Sequence, residues 1–292
     1  MEQNHAAMAT WQPVAHGGAD PAGQQGLATA GEEASVPASD PRAGGFSTAS
    51  LGRMIMGEAL EDVLKLSREA RNFCVDVLGT VGQLVVGRAV NELFFVPVII
   101  LSRMLRQHDA IEVLLPQGFV PEAAILVLTQ FELCLDVLYL DNNVHRATEW
   151  MDHESMRHAP WKVKDKIEEV YSSDPPIRDA KQKYFEVLSA IKHGNPLAGG
   201  FGFGIRRDGN QFSVTDGEID DHFSQTHAVV IAGADAYQLI EGLRGACRAF
   251  SRFVTLDTAL SPRIEELLKR CRQEIGRAVH KIERSARASS LH

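Results

Sequence analysis

The stretch from Ala123 to Leu140 is almost wholly apolar at helical length, broken only by Thr129, Gln130, Glu132 and Asp136. A helix this apolar has to be enclosed, either by other helices or by lipid. Carboxylates are costly in hydrocarbon, so Glu132 and Asp136 favour protein neighbours over a membrane span. Leu93 to Leu101, the other long apolar run, is too short to cross a bilayer. Both read as core helices. With 292 residues and 45% hydrophobic content the chain can bury a large core. The fold class that follows is mainly α, a multi-helix bundle with one small β-hairpin inserted before the penultimate long helix.

Punctuation along the chain divides it. Residues 1–46 are rich in Ala, Gly, Gln, Pro and Ser and poor in large aliphatics. Such a segment cannot offset its ordering entropy, so a disordered N-terminal arm is expected there. A helical domain is expected over 47–260. Leu60, Val63, Leu64, Ser67 and Ala70 start its first helix, which Gly79 and Gly82 interrupt. A second helix runs from about Leu84 to Leu115, bent at Pro97, and Pro116-Gln117-Gly118 ends it. Pro121 opens the third helix, which stops before Asp141-Asn142-Asn143. Shorter helices are expected from Val144 to His158 and from Trp161 to Tyr171. Asp174-Pro175-Pro176 opens a helix ending at His193, with Gly194 as its left-handed cap. A hairpin near 201–215, turning at Arg207-Asp208-Gly209-Asn210, precedes a long helix from about Ser224 to Leu256. The last segment, 261–292, reads as an amphipathic helix with a basic tail.

Composition narrows function chiefly by exclusion. A net charge of −8 is unsuited to coating nucleic acid through bulk charge, although the C-terminal helix is locally basic and RNA is a partner its tail would admit. Cys74, Cys134, Cys247 and Cys271 form no C-x-x-C pair and each sits in an apolar helical pattern, as expected of reduced cysteines in a cytoplasmic protein. Met1 to Thr10 does not read as a signal peptide, and no membrane span is expected. No cofactor or metal is implied by any motif. The glycine-rich run from Gly199 to Gly204 leads towards a hairpin, whereas a phosphate cradle opens a helix.

Two groups of residues could carry chemistry. Glu132 and Asp136 lie a turn apart on the third helix, beside its apolar stripe, so if buried they need a cation, a shared proton or hydrogen-bond donors. A polar pocket binding a metal or a basic group would meet that need, and so would neighbouring Arg or Lys side chains pairing them at a solvated edge. His193 sits where the negative end of a helix dipole favours the imidazolium, with Ser189 one turn earlier and Lys192 beside it as a phosphate contact. His193 and Glu132 are the candidate catalytic residues, and Asp136, Ser189 and Lys192 the candidate ligand contacts. On the C-terminal helix, Ile264, Leu268, Cys271, Ile275, Ala278 and Ile282 recur at three- and four-residue steps. That seam can dock on the chain's own body or build a homo-oligomer with a second copy.

Gly118-Phe119-Val120-Pro121-Glu122-Ala123-Ala124-Ile125-Leu126, running into Phe131-Glu132-Leu133, and the later Leu188-Ser189-Ala190-Ile191-Lys192-His193-Gly194 carry a family likeness. Over roughly Val90 to Leu256 the chain resembles the uncharacterised, mainly bacterial family catalogued as domain of unknown function 5677. That family is distantly similar to helical HEPN domains, many of which are metal-independent RNases of toxin and phage-defence systems. The resemblance implies a helical bundle and, as one functional reading, an RNase. HEPN enzymes pair an Arg with a His four to six intervening residues later. This chain has no Arg at that distance before His193, and Leu128 stands where relatives carry an Arg. Arg103 with His108, Arg146 with His153 and Arg287 with His292 do meet the spacing. The reading that follows is a binding or assembly module, with the HEPN-like RNase as its alternative.

Overall fold

The computed structural model describes residues 48–153, 160–193, 203–208, 211–216 and 222–289. Eight α-helices are found among them: α1 (Thr48–Leu84), α2 (Glu92–Leu114), α3 (Val120–Asn142), α4 (Ala147–Asp152), α5 (Val163–Val170), α6 (Pro175–Lys192), α7 (His222–Phe250) and α8 (Leu260–Ser289). The arm expected over 1–46, the cap at Gly194 and His292 all lie outside the described residues.

Local chemistry accounts for most helix starts. Asn91 caps α2 by accepting a hydrogen bond from the Leu93 N–H at 3.1 Å, and Asp174 caps α6 by accepting from Ile177 at 3.1 Å, with Pro175 as first helical residue. Both satisfy donors that have no partner inside the helix. Before α3 the chain turns through Gly118, whose φ of 90° is a left-handed conformation that side chains disfavour. Two expectations need correction. Gly79 and Gly82 do not interrupt α1, which continues to Leu84. The weak helix propensity of glycine, about 1 kcal/mol against alanine, is overridden where Val77 and Val81 are buried against the core. Pro97 lies inside α2, early in the helix, which starts at Glu92 rather than at Leu84.

α7 is the hub, packing against α1, α2, α3 and α8, while α3 packs also against α2, α5 and α6. Most of α3 is buried, from Val120 to Leu140. It is the described helix long and apolar enough to cross a membrane, yet 72% of its apolar window is covered by neighbouring helices. The hairpin expected near 201–215 is not supported as part of the fold. Phe203–Asp208 and Gln211–Asp216 run antiparallel to one another, but neither shares the principal contacts with any helix.

The apolar interior falls into two main clusters. One gathers Phe73, Met104, Leu138, Leu243 and Phe250, and the other Leu64, Ile111, Leu128, Val229 and Ile282. The seam of α8 is buried within them: Ile264, Leu268 and Cys271 join the first, and Ala278 and Ile282 the second. α8 thus docks on its own chain along that seam. Several of its bases are also committed internally, Arg270 to Glu69 at 2.7 Å and Lys281 to Glu58 at 3.0 Å.

Candidate functional site

Asp136, expected to need a cation, has one. The Lys166 ammonium lies 2.5 Å from its Oδ1, and the Trp150 indole N–H donates to its Oδ2 at 3.1 Å. Lys166 is 2% exposed, so this pair is inside the protein and not at a solvated edge. With both oxygens met, Asp136 presents no unsatisfied acceptor to a ligand. Glu132 contributes only its backbone carbonyl, 3.5 Å from Lys166 Nζ. The nearby Arg146 guanidinium lies against both the Tyr139 and Trp161 rings, 5.5 and 5.4 Å from their centres, and also bonds Glu149. His153 turns its Nδ1 to the Trp150 carbonyl, so Arg146 and His153 have separate partners.

His193 and Lys192 are exposed at the C-terminal end of α6, and Ser189 is half-buried one turn before. The structure does not bring them to Glu132. α6 crosses α3 with Tyr184 edge-on to Phe131 at 5.3 Å, and Leu188 and Ile191 pack in the cluster that holds Val120 to Leu128. The two helices are therefore antiparallel. Glu132 lies just past that crossing in one direction and His193 nine residues from it in the other, about 14 Å along the axis at 1.5 Å per residue. Ser189, Lys192 and His193 form one group, and Glu132 and Asp136 another.

The residues that sequence reasoning missed lie deeper. Ser67, His108, Gln130 and Asp235, each no more than 1% exposed, come from α1, α2, α3 and α7. Asp235 Oδ2 accepts from Ser67 Oγ and from His108 Nδ1, both at 2.6 Å. Its Oδ1 accepts from Gln130 Nε2 at 2.7 Å. The other imidazole nitrogen, Nε2, faces Glu112 at 3.7 Å. Burial works against the imidazolium, but the hydrogen bond and charge of Asp235, with smaller help from Glu112 and Asp109, outweigh it and hold His108 above its ordinary value. Each of the four residues sits in its helix between a member of one apolar cluster and a member of the other, as Asp235 does between Ala234 and Ala236. The set is a polar layer through the core. Ser67 and Asp235 meet the same imidazole nitrogen, so this is not a nucleophile relay, which places serine and carboxylate on opposite nitrogens.

A cavity of about 580 Å³ lies between α6, α7 and α8. This is within the range of small-molecule sites. Val230, Ala234 and Tyr237 of α7 and Ile275 and Val279 of α8 supply its apolar walls. Lys181 of α6 is also in the lining, its Nζ 2.9 Å from Glu241 Oε2 and 4.8 Å from the centre of the Tyr237 ring. Tyr171 donates to Glu241 Oε1 at 3.2 Å, and Arg244 lies 3.4 Å from the same oxygen. Burial disfavours the Lys181 charge, but Glu241 reverses that and holds the ammonium well above the usual lysine range. Burial would likewise raise Glu241, and Lys181 and Arg244 bring it below its ordinary value instead.

At neutral pH none of these buried groups is an activated nucleophile. Lys181 is protonated, and burial raises the Tyr171, Tyr184 and Tyr237 hydroxyls above their usual value. The four thiols are also pushed up by burial, Cys247 to about 11 and Cys271 to about 12. One group on the cavity wall is incompletely satisfied. Gln238, 2% exposed, bonds the Tyr184 hydroxyl through Nε2 at 3.1 Å, and its Oε1 has no partner. The chain has no match among family models, curated proteins or solved structures.

Proposed function

We propose that this chain is a helical binding domain, and that its ligand occupies the cavity between α6, α7 and α8. The observation that carries the proposal is a cavity with apolar walls and one unpaired guanidinium, Arg272, in its lining. An apolar concavity with a polar group placed to fix orientation is the ordinary form of a small-molecule site. The buried charges beside the cavity are paired and locked, which suits holding a molecule more than turning one over. With its thiols buried and unlinked, the domain is proposed to work in the cytoplasm, and the segment near 201–215 to form a hairpin inserted before α7.

Gly276 provides the test. It lines the cavity, its backbone conformation is ordinary, and a Cβ built on it meets nothing within 4 Å. Gly276→Phe should fill the space without unfolding the bundle. The neutral fluorophore N-phenyl-1-naphthylamine should bind the wild type saturably at one site and lose at least tenfold in affinity to Gly276→Phe. Gly276→Ala, with an equal or higher melting temperature, should retain it. Absence of saturable binding to the wild type, or equal binding to the plugged variant, would remove the cavity reading.

The HEPN-like RNase reading draws on one observation, the exposure of Lys192 and His193 together at the end of α6, where a phosphate could reach both. Glu132 has no part in that version. Expression of the wild type beside His193→Ala at matched levels decides it: RNA loss confined to the wild type supports an RNase, and intact RNA in both strains removes that reading.

A further inference from the structure

We infer that the ligand of this cavity is an amphipathic organic anion, an apolar body carrying a carboxylate or similar head, with Arg272 receiving the head. The inference rests on the cavity being a binding site, as proposed above.

The charges around the cavity are unequal in their availability. Lys181 is neutralised by Glu241 at 2.9 Å. Asp179 is met by Arg178, whose Nη2 lies 3.2 Å from its Oδ1. Arg272 is half-buried and has neither hydrogen bond nor ion pair among the described residues, and Lys183 at the rim has none either. His280 and Glu283 are exposed further along α8. Arg272 and Glu283 are eleven residues apart, about 16 Å along the helix. The unspent positive charge is therefore at one end, near Tyr237, and the unpaired carboxylate at the other. An arginine facing an apolar, poorly hydrated space attracts an anion more strongly than one in open water.

An anionic head meets the Arg272 guanidinium, while Val230, Ile275 and Val279 cover the apolar body.

The three decyl compounds decanoate, 1-decanol and decyltrimethylammonium differ in head charge and share a tail. Each is titrated against full-length protein loaded with N-phenyl-1-naphthylamine, and displacement is read as loss of fluorescence. The expected result is that decanoate displaces the probe at least tenfold more effectively than 1-decanol, with the cation weakest. In Arg272→Gln the decanoate-to-decanol ratio should fall towards one. The ratio is taken within each variant, so a general loss of affinity or stability does not imitate the effect. A wild-type ratio near one, a preference for the cation, or a ratio unmoved by Arg272→Gln would overturn the anion assignment while leaving the cavity as a binding site. Failure of the fluorophore itself to bind would overturn both.

Discussion

Replacing Asp235 with Asn tests whether the polar layer holds the four central helices in register. The carboxylate accepts three hydrogen bonds, from Ser67 and His108 at 2.6 Å and from Gln130 at 2.7 Å. Asn preserves the shape but offers one acceptor oxygen where Asp offers two, and its amide hydrogens face a donor. Gln130 can relieve part of this by turning its Oε1, which has no partner in the native layer, towards the new amide. The bond from Gln130 Nε2 to the Met104 carbonyl, 3.1 Å, is then lost. Hydrogen bonds involving a charged group contribute about 1.5–3 kcal/mol each, and the His108 charge also loses its counterion. The expected cost is about 2–4 kcal/mol, or roughly 5–15 °C in melting temperature for a domain of this size. The cost should depend on pH in a defined direction. His108 is raised in the folded state, so its pairing contributes fully below the unfolded value of about 6.5 and fades as pH rises through the folded one. Urea unfolding of wild type and Asp235→Asn, followed by circular dichroism at pH 6 and pH 9, should show the larger difference at pH 6. A difference below about 1 kcal/mol at pH 6, or one that grows towards pH 9, would refute the account.

Three further outcomes follow from the same geometry. Lys181→Met takes away the nearest counter-charge of the buried Glu241 carboxylate, leaving Tyr171 and Arg244, and should cost about 3 kcal/mol by urea unfolding, whereas Lys181→Met combined with Glu241→Leu should recover part of that loss. Because Glu241 is held below its ordinary value, its contribution is present above about pH 4.3 and should disappear as pH falls through the folded value, steepening acid unfolding of the wild type relative to the double variant. Gly233→Ala should lower stability by about 1–3 kcal/mol, since the added Cβ would meet Ile275 Cγ1 at 2.1 Å, while Gly276→Ala should raise it by about 0.5–1 kcal/mol. Cys74, Cys134, Cys247 and Cys271, all buried, should resist a water-soluble disulfide reagent in the native protein and react together once it is denatured in guanidinium.

The helical class of this protein is legible in its sequence because the signals are local. An unbroken apolar run marks α3 as a helix to be enclosed, Asp174-Pro175-Pro176 supplies the cap and first turn of α6, and the seam of α8 repeats at three and four residues. Each depends on neighbours within a turn or two, where spacing and side-chain type are enough. The limits of α1 and α2 were less legible, since glycine propensity is a weak term beside burial. The polar layer leaves no comparable trace. Ser67, His108, Gln130 and Asp235 occur singly on four helices, and Ser67 and Asp235 are separated by 168 positions. In one dimension each is an isolated polar residue, indistinguishable from those that face water. The cavity is hidden in the same way, because a void is defined by how the side chains of three helices fit against one another. Periodicity decides which face of a helix turns inward; only packing in three dimensions decides which inward residues touch and where they leave room.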